Sequence, residues 1–203
     1  MNKIIGALFI GCSIWGMLGC STEKKIEQKT EIRTELSSGW EFSQRDSEVW
    51  LPATVPGTVH TDLLANGKIE DPFYRMNELQ LQWIDKKDWE YRTFFSVDKE
   101  FLEKKNQRLT FHGLDTYADV YLNGKSIGVT DNMFRTWVFD VSGQLKADSN
   151  ELRVVFASPT RRGLEEMERY GLRLPADNDQ SERGGMGNNR VSVYTRKAPY
   201  HYG

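Results

Sequence analysis

Cysteine and histidine are scarce in this chain: two and three among 203 residues. Both cysteines, Cys12 and Cys20, lie near the N-terminus, so everything after them has no thiol to pair or to bind a soft metal. The three histidines, His60, His112 and His201, are far apart in sequence, and none has the short ligand spacing of a zinc site. No metal site is therefore expected. Charge of one sign is missing as well. Lys and Arg number 27 against 29 Asp and Glu, a formal net charge of −2, which leaves no electrostatic footprint for nucleic acid. Beyond Leu18 there is no long apolar run. Gly184-Gly185-Met186-Gly187 lacks both a preceding strand and the following Lys-Ser/Thr of a phosphate loop.

What is present begins with a leader. Lys3 supplies a positive charge, and Ile4 to Leu18 is nearly all apolar, of signal-peptide length and short for a membrane span. Met17-Leu18-Gly19-Cys20 resembles a bacterial lipobox, with Met where Leu is more usual. Residues 1–20 are read as a lipoprotein signal peptide with Cys20 as the lipidated residue, and an ordinary secretory signal is the alternative. Residues 21–35, rich in Lys, Glu, Gln and Thr, are read as a flexible tether. The expected location is extracytoplasmic, on a bacterial membrane facing the periplasm or in the outer membrane.

Residues 36–203 are long enough for one domain with a single core. The chain carries 6 Trp, 8 Tyr and 10 Phe, a content that suits a sandwich core and also the stacking of rings on sugars. Short alternating runs are expected as strands at Trp40–Phe42, Glu48–Leu51, Trp89–Val97, Gln107–His112, Tyr117–Leu122, Lys125–Val129, Trp137–Val141 and Leu152–Ala157. Asn123-Gly124 between two such runs is a hairpin signal, because both residues tolerate positive φ. Pro159 is expected to end the last strand. Arg161–Tyr170 has helical spacing, with Arg161, Glu165 and Arg169 placed to pair along one face. Leu174–Asn189 has no periodicity and reads as a long loop. The whole predicts an all-β fold, an antiparallel β-sandwich of jelly-roll (galactose-binding-like) type with short helices.

The run Leu51-Pro-Ala-Thr-Val-Pro-Gly-Thr-Val-His60 interrupts that pattern. Pro52 and Pro56 fix φ and remove donors, and Gly57 permits a turn that a Cβ would obstruct. Thr58 is placed to cap a helix that carries Leu63 and Leu64, and Asn66-Gly67 closes it. A second turn follows at Asp71-Pro72-Phe73-Tyr74. This crossover, with Asp88-Trp89-Glu90-Tyr91-Arg92-Thr93-Phe94-Phe95, Phe111-His112-Gly113-Leu114-Asp115-Thr116-Tyr117-Ala118, Val120-Tyr121-Leu122-Asn123-Gly124 and the ending Arg196-Lys197-Ala198-Pro199-Tyr200-His201-Tyr202-Gly203, resembles the N-terminal sugar-binding domain of glycoside hydrolase family 2. Within that family it is most similar to the β-mannosidases, with β-galactosidases and β-glucuronidases as the related alternatives.

The resemblance implies a retaining exo-β-mannosidase acting on terminal β-D-mannose, with a β-mannoside as substrate and no cofactor. It also implies that a Trp-Asp-Trp-Gly segment, further β domains and a catalytic (β/α)₈ barrel of the same polypeptide lie beyond Gly203, so that this chain is the incomplete N-terminal part. No catalytic residue is assigned within it. Asp85 with Asp88, and Asp177 with Asp179, are acidic neighbours on polar segments and are read as solvated surface. Arg196, Tyr200, His201 and Tyr202, with Asn189 and Arg190, are expected to support the substrate pocket. His60 and His112 are read as hydrogen-bonded structural residues. Where a barrel would pack, apolar surface should lie open, with Trp83, Trp89 and Tyr200–Tyr202 as candidates. A stand-alone lectin-like module, or a fragment without an independent role, are the competing readings.

Overall fold

Alternation of ring and aliphatic side chains with polar ones builds one large antiparallel sheet. In the computed structural model, which describes residues 31–171, the strands are β1 (Trp40–Gln44), β2 (Leu51–Pro52), β3 (Trp89–Phe95), β4 (Arg108–Phe111), β5 (Ala118–Leu122), β6 (Lys125–Thr130), β7 (Trp137–Asp140) and β8 (Asn150–Phe156). The helices are α1 (Val59–Ala65), α2 (Lys99–Leu102) and α3 (Pro159–Tyr170), with 3₁₀ turns at Asn77–Gln80 and Ile84–Lys86. Contacts divide the chain after Arg33, and the architecture described here is that of the unit beginning at Thr34.

The six-stranded sheet runs β2-β1-β3-β8-β5-β6, with β4 and β7 pairing as a second sheet. Every pair is antiparallel. Period-2 geometry sends Trp40 and Phe42 of β1, Trp89 and Tyr91 of β3, Ala118 and Val120 of β5, and Leu152 and Val154 of β8 to one face, where they form the core. Phe42 is fully buried and stacks on Tyr91 at 5.7 Å. Leu109, Phe111 and Phe139 of the second sheet pack onto this cluster, while Arg108, Thr110, Val138 and Asp140 face outward. Gly128 of β6 lies against that second layer: a Cβ there would sit 2.1 Å from the Phe139 ring. The result is an antiparallel β-sandwich, as the alternation predicted.

Local sequence explains the connections. Asn123 (φ 53°) and Gly124 (φ 78°) make the β5–β6 turn. Thr58 caps α1, accepting from Thr61 N while Thr61 Oγ1 accepts from Thr58 N, so a threonine takes the place usually held by Glu or Gln in this box. At Gly57 a Cβ would fall 2.2 Å from the Thr54 carbonyl oxygen, which accounts for glycine in the turn.

Three expectations need correction. The second strand is Leu51–Pro52 and not Glu48–Leu51. Pro159 does not simply stop β8: it is the first residue of α3, behind Ser158 as N-cap, where its missing N–H costs nothing. On α3, Arg161 does reach Glu165 at 3.5 Å, but Arg169 pairs with Glu166. The short α2 and the two 3₁₀ turns have no counterpart in the sequence pattern, since none spans enough residues to show a period.

Candidate functional site

Two regions of the domain gather polar or aromatic groups with tertiary partners. The first is where α3 leaves the sheet. Its N-cap Ser158 is fully buried; Ser158 Oγ donates to the Asp85 carbonyl at 2.5 Å and accepts from Arg161 N at 3.1 Å. Ser158 N donates to Asp88 Oδ1 at 2.8 Å, and Arg161 Nη2 donates to both Asp88 oxygens at 2.8 and 2.9 Å. Arg45 stands 3.8 Å from the same carboxylate, and Thr160 Oγ1 donates to Asp85 Oδ2 at 2.8 Å. Burial would raise the Asp88 pKa, but the Arg161 and Ser158 hydrogen bonds and the charges of Arg161 and Arg45 outweigh it and hold it below the usual carboxylate range.

This arrangement corrects the reading of Asp88 as solvated surface, while Asp85 is exposed, as expected. The Asp88 side chain is 13% exposed, and both residues are fasteners that fix the first turn of α3 to the β3 side of the sheet. Both Asp88 carboxylate oxygens are committed to structure, and the direction of the Asp88 shift is opposite to that of a catalytic acid.

The second region is the crossover. Asp62 of α1 is buried at 2% exposure; its Oδ1 accepts from Thr54 N at 2.9 Å and its Oδ2 from the Tyr91 hydroxyl at 2.8 Å. Burial, then the hydrogen bond and charge of Asp62, push the Tyr91 hydroxyl far above its ordinary pKa, so it remains a donor. Sequence reasoning missed this pair. The available signal was an aspartate at a helix position flanked by apolar Leu63. Beside α1 a cleft of about 200 Å³ is lined by Phe42, Leu51, Leu63, Trp83 and Trp89, with Gln44 and Lys68 among its polar residues. Trp83 is 37% exposed and lies 5.9 Å from Trp89, which is buried at 6%. Of the two tryptophans expected to lie open, Trp83 does and Trp89 does not: Trp89 belongs to the core and its Nε1 donates to the Ile84 carbonyl.

Rings on the outer face of the large sheet are covered by arginines. Arg92 lies 3.8 Å over Trp50 and pairs with Glu41; Arg153 lies 4.8 Å over Tyr121 and pairs with Glu90. Glu41, Arg92, Arg153 and Tyr121 are direct cross-strand neighbours in register. The opposite-charge Glu41–Arg92 pair stabilises the sheet by about 0.2–1 kcal/mol, whereas Arg92 and Arg153, of like charge and directly opposite, repel; each is offset by its own carboxylate, and the ring face it covers is engaged. His60 and His112 are exposed, His60 on α1 and His112 just past β4. Among the described residues no group of His, Cys, Asp and Glu converges as a metal site. Arg196, Tyr200, His201, Tyr202, Asn189, Arg190, Asp177, Asp179 and Cys20 all lie outside the described residues. So do the Tyr200–Tyr202 part of the expected open surface and the Leu174–Asn189 segment.

Comparison with known proteins follows the same line as the fold. A family model described as glycosyl hydrolase 2 galactose-binding domain-like matches residues 40–203. A β-mannosidase of Mus musculus is 42% identical over 123 residues, covering 61% of this chain and 14% of that protein. β-Mannosidase B of Thermothelomyces thermophilus is 38% identical over 172 residues, 83% of this chain and 19% of that protein. The crystal structure of β-D-mannosidase from Dictyoglomus thermophilum superposes with a TM-score of 0.69 at 46% identity, covering 72% of this chain and 18% of that one. The chain thus spans less than a fifth of the length of these relatives.

Proposed function

We propose, from the premise that this chain belongs to the galactose-binding-like domain family of glycosyl hydrolase 2 enzymes, that it serves as the N-terminal domain of a retaining exo-β-mannosidase. The observation that carries the reading is the Dictyoglomus match: 46% identity to a β-mannosidase over most of this chain but only 18% of that enzyme. The substrate class would be oligosaccharides or glycoproteins ending in β-D-mannose. Cleavage with retention needs two carboxyl groups about 5–5.5 Å apart, one kept protonated. In this reading they belong to a barrel outside this chain, and Arg196, Tyr200, His201, Tyr202, Asn189 and Arg190 support the pocket from this side.

The test is to read the gene past codon 203 and to assay the encoded protein on 4-nitrophenyl β-D-mannoside, following the anomer of the released sugar. A continuing frame whose product releases β-mannose supports the proposal. A stop codon, together with glycan binding by the chain itself, supports the lectin-like reading instead.

We also propose that Cys20 carries a lipid anchor that holds the protein on an extracytoplasmic membrane face. This rests on Met17-Leu18-Gly19-Cys20 and the apolar stretch before it. The relatives from Mus musculus and Thermothelomyces thermophilus lend this part no support. Metabolic labelling with a palmitate analogue should mark the protein, and labelling that persists in Cys20→Ala would defeat the idea.

A further inference from the structure

Two turns of the chain share the tripeptide Asn-Gly-Lys: Asn66-Gly67-Lys68 at the end of α1 and Asn123-Gly124-Lys125 between β5 and β6. In both, the glycine and lysine are exposed and the glycine has a positive φ, 63° and 78°. Asparagine before glycine is the pairing most open to attack on its side-chain amide, because glycine has no Cβ to shield its own nitrogen. With the local sequence the same, the partners of each asparagine decide which one reacts.

Asn123 is held at both ends of its amide. Its Nδ2 donates to the Gln144 carbonyl and to Asn150 Oδ1, each at 3.0 Å, and its Oδ1 accepts from Glu151 N at 3.1 Å. Asn150 is fully buried, and its Nδ2 donates to the Phe95 and Lys146 carbonyls. Asn150 and Glu151 belong to β8, which lies between β3 and β5. Freeing the Asn123 amide therefore means opening the sheet. Asn66 is held through its nitrogen, by elements that yield more easily. Nδ2 donates to the Asp62 carbonyl at 2.8 Å, within α1 itself, and to the Pro52 carbonyl at 2.9 Å, on a two-residue strand at the sheet edge. Gly67 N donates to the Leu64 carbonyl at 3.0 Å, so the turn must open before that nitrogen can react. Helix α1 has seven residues, and Leu64 and Ala65 in its last turn are exposed. So short a helix has little stability of its own, and its end frays without disturbing the core.

We propose that Asn66 is a site of spontaneous deamidation, and that its conversion loosens α1 from the sheet edge. When the last turn of α1 opens, Gly67 N attacks Asn66 Cγ. A new C–N bond forms, the bond from Cγ to Nδ2 breaks, and the side-chain nitrogen leaves as ammonia with the Gly67 amide proton. Water then opens the cyclic imide at either carbonyl and leaves aspartate or isoaspartate at position 66. Nothing is oxidised or reduced. The product carboxylate has no proton to donate to the Pro52 and Asp62 carbonyls. It also puts a negative charge at the C-terminus of α1, one turn from the Asp62 carboxylate, where the helix dipole and the like charge both oppose it.

The experiment holds the encoded protein in a mildly alkaline buffer, folded and in urea, and follows its tryptic peptides by mass spectrometry. Trypsin separates the two sites: Asp46–Lys68 contains Asn66 and no other side-chain amide, and Leu109–Lys125 contains Asn123 and no other. The protection of each site is its rate of conversion in urea divided by its rate in the folded protein. Protection should be about tenfold smaller at Asn66 than at Asn123, the difference between fraying of a helix end and opening of a sheet. Equal protection at the two sites, or greater protection at Asn66, overturns the proposal. So does an Asn66 that stays intact in the folded protein while the protein in urea converts. The loosening of α1 is read separately. Asn66→Asp carries the charge of the product on an unaltered backbone, and the amide hydrogens of α1 should exchange faster in it than in the parent. Unchanged exchange there would show that conversion leaves α1 in place and would overturn that half of the proposal.

Discussion

Asp88 shows how one side chain fastens two parts of the fold. It receives Ser158 N and Arg161 across 70 and 73 residues of sequence, so it ties α3 to the strand edge where β3 begins. Asp88→Asn keeps the size but removes the charge that Arg161 and Arg45 face. It should destabilise the domain by about 2 kcal/mol at pH 7, the range for a lost charge-assisted bond, measured by urea unfolding. The pH dependence has a definite sign. A carboxylate whose folded pKa lies below its unfolded value of about 3.9 contributes stability that is present above that value and lost as pH falls through the folded pKa. The gap between the parent and Asp88→Asn should therefore close below about pH 4. Tyr91 makes the complementary case. Tyr91→Phe would strip Asp62, 2% exposed, of one of its two donors, and should cost about 1–3 kcal/mol by the same measurement. In this group the raised pKa means stability present below about pH 10 and lost as pH rises through the folded value, so the parent's alkaline limb should weaken in Tyr91→Phe.

Individual elements were legible where their cause is local. The β5–β6 turn follows from Asn123-Gly124, α1 from Thr58 and Asn66, and the inward faces of β1, β3, β5 and β8 from period-2 alternation. What stayed hidden depends on contacts across the chain. Nothing near Asp88 in sequence announces Arg161, nothing near Asp62 announces Tyr91, and the 3₁₀ turns at 77–86 are too brief to carry a period. Of the candidate site, the sequence located Trp83 as open surface but misjudged Trp89, because a ring at a strand start reads the same whether it faces core or solvent. The sheet-to-sheet contact is testable at this scale. Gly128→Ala would place a methyl 2.1 Å from the Phe139 ring and should cost about 1–3 kcal/mol through overpacking. Phe139→Leu in the same chain should recover part of that loss in a double-mutant cycle, and strict additivity of the two changes would show that the layers do not meet there.

At the scale of the whole molecule, the question is whether the described domain holds the means to break a glycosidic bond. Four of its buried or half-buried carboxylates are already in use. Asp62 serves Tyr91 and Thr54, Asp88 serves Arg161 and Ser158, Glu90 faces Arg153, and Glu41 faces Arg92. A retaining glycosidase needs one carboxyl with a raised pKa beside one that is ionised. Asp88 and Asp140 both lie below the ordinary carboxylate range: Asp88 because Arg161 and Ser158 overcome its burial, and Asp140 chiefly through Ser142. Neither is suited to protonate a leaving group at neutral pH. The chain on its own should accordingly release no 4-nitrophenol from the β-mannoside above the buffer rate, and Asp88→Asn should lower its melting temperature without altering that blank. Turnover by the purified chain, abolished by changing any one of these carboxylates, would place the chemistry inside the sandwich and overturn the assignment of this domain to support.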